Sequence, residues 1–119
     1  MNSVKDIVKL LVSYPDHDSV LAKVPHMYVC IYASAETRLL KCQSQKPYHL
    51  KPGSMPQQRF VVETNATVKL FRVTTIIDLD KVFVASAPTS YPVIGKLPDD
   101  LFKKLIAAFD YANAEKINL

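Results

Sequence analysis

Glycine is nearly missing from this sequence: two in 119 residues leave no glycine-rich loop that could cradle a phosphate group. Cysteine is equally scarce. Cys30 and Cys42 lie too far apart for a CxxC redox or zinc pair, and His17, His26 and His49 are scattered without ligand spacing, so neither metal nor cofactor is expected. Were Met27–Ser34 and Thr37–Ser44 a hairpin about Ala35-Glu36, the two cysteines would fall roughly opposite each other; in a reducing compartment two buried thiols fit better than a disulfide. No run approaches the ~20 apolar residues that span a bilayer. The apolar stretch Ile7–Val12 is interrupted by Lys9 and followed by Tyr14-Pro15-Asp16, which is no signal peptide. At 13.4 kDa, with 49% hydrophobic and 22% charged residues, the chain reads as one soluble cytoplasmic domain able to bury its own core.

Acidic residues are missing where basic ones gather. Between Arg38 and Arg72 stand Arg38, Lys41, Lys46, Lys51, Arg59, Lys69 and Arg72, against Glu63 alone, although the whole chain carries only +4. Such a local excess attracts polyanions and releases their counterions, which makes nucleic acid the leading partner class. A basic, solvated face without a ligand has the same composition.

Along the chain, Val4, Ile7, Val8, Leu10 and Leu11 recur at helical spacing, with Ser3 as N-cap and Asp6 three residues on. A helix is therefore expected over Ser3–Tyr14, within an N-terminal helical extension covering 1–22. Met27–Tyr32 and Arg38–Gln43 read as paired strands, and Arg59–Thr64, Val68–Ile77 and Lys81–Ala85 as three more. Pro47, Pro52, Gly53 and Pro56 make Gln43–Gln58 a loop. Pro98, Asp99 and Asp100 open a helix whose stripe of Leu101, Phe102, Leu105, Ile106, Phe109 and Ala112 extends it over 98–116. The expected fold is mainly β with flanking helices: a small, partly open barrel over 23–94, between an N-terminal and a C-terminal helix.

This element order resembles the PemK/MazF toxin family of small dimeric SH3-like barrels. Val73-Thr-Thr-Ile-Ile-Asp-Leu-Asp-Lys-Val-Phe looks like its strand running into an Ile-Asp-x-x-Arg turn. Ile94-Gly95-Lys96-Leu97 looks like its Ile-Gly-x-Leu lead-in to the last helix. Lys41-Cys42-Gln43-Ser44-Gln45 stands at its Pro-x-Thr-Ser strand end, and Lys23-Val24-Pro25-His26 at its Arg-Pro opening. The resemblance spans Lys23 to Phe109 and implies metal-independent endoribonuclease activity on single-stranded RNA, a homodimer and an acidic antitoxin. The family's catalytic arginine is replaced by Val24, and its catalytic threonine maps to Gln43 or Ser44.

Metal-free RNA cleavage needs a base for the 2′-hydroxyl, an acid for the leaving oxygen and a cation for the phosphate. His26 suits the proton steps, Ser44 a phosphate-oxygen donor and Arg59 the charge stabiliser; Lys46, His49, Lys51 and Arg72 suit RNA or partner contacts. Tyr28, Tyr32 and Phe60 have the rings to stack bases, although aromatics at alternating strand positions more often fill a core. Asp78 and Asp80 resemble paired carboxylates, but a tight turn explains them as well. Two other readings stay open: a catalytically degenerate binding member, and an interaction protein whose basic loop meets an acidic partner.

Overall fold

The computed structural model describes residues 2–10, 26–44, 58–62, 74–86 and 90–119. They form eight strands and one helix: β1 (Asp6–Leu10), β2 (His26–Ala33), β3 (Glu36–Ser44), β4 (Arg59–Val62), β5 (Thr75–Asp78), β6 (Lys81–Ser86), β7 (Val93–Lys96), α1 (Asp99–Ala108) and β8 (Glu115–Asn118). All belong to one sheet, whose main path runs β4-β5-β3-β2-β1-β7.

β3 organises it. One edge pairs with β2 throughout the hairpin, from Ala33↔Thr37 to Met27↔Cys42. The other edge changes partner half-way: Glu36–Leu39 pair with β6, and Cys42–Ser44 pair with β5. The sheet therefore forks at Leu40 and Lys41. One arm carries β5 and β4; the other carries β6, with β8 parallel to it.

Alternation along the strands gives each face its own core. Ile7, Val29, Leu40, Cys42, Val62, Ile77 and Val82 lie on the face covered by α1 through Leu101, Phe102, Leu105 and Phe109. Val8, Tyr28, Cys30, Leu39 and Phe83 pack on the opposite face, with Tyr28 edge-on to Phe83 at 5.2 Å between ring centroids. Cys30 and Cys42 thus sit on opposite faces, register with Leu39 and Met27 respectively, and are both free thiols.

The expected mainly β character stands, but the barrel between two helices is corrected, among the described residues, to this forked sheet with a single C-terminal helix. Ser3–Leu10 is no helix: β1 lies between β2 and β7, so Ile7 feeds one core and Val8 the other. Burial on both faces erases the period-2 signal and leaves an apolar run that imitates helical spacing. The pairing of Ser3 with Asp6 is real but closes a turn. Ser3 N–H donates to Asp6 Oδ2 at 2.8 Å and Asp6 N–H to the Ser3 carbonyl at 3.1 Å. Lys5, at φ 74°, supplies the left-handed residue within it, which a helix forbids. Leu11–Tyr14 lie outside the described residues.

The C-terminal helix starts as expected, with Phe102 N–H donating to the Pro98 carbonyl at 2.9 Å, but ends at Ala108 and not at residue 116. Asp110 halts it by accepting from Ala112 N–H at 3.1 Å and from the Asn113 side-chain amide. The chain then enters β8, where Ile117 pairs with Phe83.

Candidate nucleic-acid interface

The fork determines where charge can gather. Lys41 stands at it, opposite Tyr28 on β2 and one step beyond the Cys42↔Ile77 pair that leads to Asp78 on β5. Asp78 in turn pairs with Arg59 on β4. Val8, Tyr28, Lys41, Asp78 and Arg59 thus form a row across the sheet on the face away from α1. Lys81, at the start of β6, comes alongside from the other arm; its charge acts on both Lys41 and Asp78. His26 is two residues from Tyr28 along β2 and half-buried. It is therefore a diagonal neighbour of Lys41 on the same face, ~7–8 Å away between backbones.

Burial perturbs this row. Desolvation lowers the Lys41 ammonium pKa, with Lys81 acting the same way and Asp78 against it. Desolvation likewise raises the Asp78 carboxyl, partly offset by the Asp80 N–H that donates to its Oδ1 at 2.8 Å. Asp78 serves the turn and the row at once.

Arg38, one of the basic segment's members, points elsewhere. In phase with Leu40 and Cys42, it lies between the rings of Tyr32 (4.1 Å) and Tyr111 (3.9 Å) and pairs through Nε with Glu36 at 2.7 Å. Its role is to hold the turn after α1 against the β2–β3 hairpin. The basic segment is therefore divided between two faces.

Of the residues singled out for chemistry, His26 and Ser44 come to the same end of the β2–β3 hairpin, Ser44 pairing with Thr75. Arg59 is exposed, on the same face as His26 but three strand spacings away, about 14 Å. Lys46, His49, Lys51 and Arg72 lie outside the described residues. Among the three aromatics, Tyr28 is core, Phe60 packs half-buried beneath α1's face, and Tyr32 is 36% exposed.

Lys41 and Lys81 had no distinguishing mark in the sequence beyond their charge, because the fork that joins them is a tertiary feature. The alternation Leu40-Lys41-Cys42 was the one available sign that Lys41 faces away from the helix-covered core. Among the described residues no group of three or more His, Cys, Asp or Glu could hold a metal ion, and no helix is long and apolar enough to cross a membrane. Comparison with protein families, curated proteins and solved structures gives no match.

Proposed function

We propose that this chain binds and cleaves single-stranded RNA without a metal ion, in the manner of the PemK/MazF toxins it resembles. The observation that supports this reading is the contiguous stripe of His26, Lys41, Asp78 and Arg59, with Lys81 beside it, on one sheet face. Lys41, Lys81 and Arg59 meet the phosphates; an ammonium partly stripped of water interacts more strongly with an anion than a solvated one. His26 carries the proton steps at the adjacent phosphodiester, with Lys41 as the nearest cation. Ser44, at the same end of the hairpin, keeps its role as a phosphate-oxygen donor. The same reading makes the protein a cytoplasmic homodimer opposed by an acidic antitoxin.

The test is cleavage of end-labelled single-stranded RNA in EDTA by the wild type and by His26→Ala, Lys41→Gln and Arg59→Ala. Products ending in a cyclic phosphate, lost in His26→Ala and reduced at least tenfold in Lys41→Gln, are expected. Equal cleavage by all four proteins, or by none, overturns the catalytic assignment.

The ~14 Å between His26 and Arg59 favours a second reading, since one phosphate cannot touch both backbone positions closely. In it the chain is a binding module: affinity falls steeply with salt, Lys41→Gln lowers the slope by about 0.7, and no product forms.

A further inference from the structure

Phosphates occupy Lys41, Lys81 and Arg59, but a single strand also carries bases, each with an apolar π-face that an aromatic ring can cover. Of the described rings on the face away from α1, Tyr28 and Phe83 are sealed in the core. Tyr32 and Phe60 belong to the α1 face. The remaining ring on the RNA face, Tyr91, is half-buried: it packs against the Val8–Tyr28–Phe83 cluster and keeps part of its surface in solvent. We infer that Tyr91 is the stacking platform for the base of the nucleotide whose phosphate meets His26 and Lys41. This inference rests on the RNA reading above and adds to it a base-binding position.

Register places the ring. Val93 pairs with Val8, and Lys9 N–H donates to the Pro92 carbonyl at 3.2 Å, so Tyr91 arrives at the level of Leu10. On its other edge Leu10 pairs with His26. One strand thus separates Tyr91 from His26, about 10 Å between backbones. The order across this face is Tyr91, Leu10 and His26, then Lys41, Asp78 and Arg59 on β3, β5 and β4. Leu10, half-buried, and Val93, 52% exposed and paired with Val8, widen the apolar surface around the ring. A ligand that fits this order is flat and apolar at one end and anionic at the other. A nucleotide has that form.

Tyr91 is held before a base arrives. The side chain of buried Asn2 clasps its backbone, accepting from Tyr91 N–H at 2.8 Å and donating to its carbonyl at 2.9 Å. A ring anchored in advance loses little freedom on stacking. Burial also raises the Tyr91 phenol pKa, so the hydroxyl stays neutral beside phosphate. Because every base has a π-face, the platform rewards the presence of a base and does not choose among the four.

The probes are fluorescent 2′-O-methyl decamers, which lack the attacking hydroxyl: one of uridine, one of abasic residues, and a uridine decamer carrying 5-iodouracil. Anisotropy titrations compare the wild type with Tyr91→Phe, which keeps the ring, and Tyr91→Leu, which keeps apolar bulk without it. Wild type and Tyr91→Phe are expected to bind the uridine decamer about tenfold more tightly than the abasic one, the scale of one base contact. Tyr91→Leu is expected to bind both at the abasic level with the wild-type salt slope. Ultraviolet irradiation of the iodinated decamer on the wild type is expected to attach it to Tyr91, read by peptide mass spectrometry. Salt-dependent wild-type binding that ignores the bases overturns the platform and leaves the RNA reading standing. Irradiation that leaves Tyr91 unmodified does the same, and neither arm needs a variant to fold. A base preference that survives in a folded Tyr91→Leu also overturns the platform. Absence of binding to every decamer at low salt overturns both.

Discussion

Replacing Arg38 separates the two faces of the sheet experimentally. Its guanidinium is wedged between Tyr32 and Tyr111 at 4.1 and 3.9 Å and tied to Glu36 at 2.7 Å, with the side chain 24% exposed. Two ring stacks at a partly exposed site contribute ~0.5–1 kcal/mol each. The ion pair adds under ~1 kcal/mol because both partners still meet solvent. Arg38→Ala should therefore cost about 2 kcal/mol, or roughly 6–12 °C in Tm for a domain of this size. Arg38→Lys keeps the charge and loses the planar group that fits between the rings, and should cost about half as much. Urea unfolding measures these losses, and oligonucleotide anisotropy on the same samples measures binding. RNA affinity should stay at the wild-type value in both variants, since Arg38 faces away from Lys41, whereas Lys41→Gln should weaken it. An Arg38→Ala protein of undiminished stability would refute the stacking argument. One that binds RNA as poorly as Lys41→Gln would refute the division of the basic segment between faces.

Two further predictions concern buried groups. Asn2 imitates a strand backbone: its Nδ2 donates to the Tyr91 carbonyl at 2.9 Å, and its Oδ1 accepts Tyr91 N–H at 2.8 Å. Asn2→Asp removes the donor and places a carboxylate against a carbonyl in a buried position, so a loss of ~2–3 kcal/mol is expected by urea unfolding; a loss below 0.5 kcal/mol would contradict it. Burial pushes the Cys42 thiol up to about 12 from 9.0 and raises that of Cys30. The unfolded chain then loses these protons first. Cys42's contribution is constant below pH 9 and declines by ~1.4 kcal/mol per pH unit as pH rises towards 12. Cys42→Ala should flatten that decline in urea midpoints between pH 9 and 11, and a parallel slope in the variant would count against the assignment.

The strands legible in the sequence were those with one face in water or with a turn beside them. The β2–β3 hairpin, β4 and β6 follow from β-branched runs bounded by Ser34-Ala35, Gln58 and Leu79-Asp80. β1 was hidden by burial on both faces. β7 and β8 are four residues each, with Val93, Ile94 and Lys96 exposed, so their pattern carries no alternation and their pairing with β1 and β6 decides them. For the same reason the charge excess of the middle segment was visible, but its division was not. Whether Arg38 and Lys41 share a face depends on strand parity: three residues apart on one strand, they cannot. His26 and Arg59 reached one face, yet the number of strands between them follows from the fork, which no local pattern encodes.

The change of partner along β3 also has a mechanical consequence. Two arms that diverge from a common strand behave like the prongs of a clamp, free to spread except where something spans the gap. Asp80 is such a span, gripping Gln58 with its carboxylate and Glu115 with its carbonyl. Cutting that span loosens both prongs at once, and not only the two backbone N–H groups that Asp80 holds.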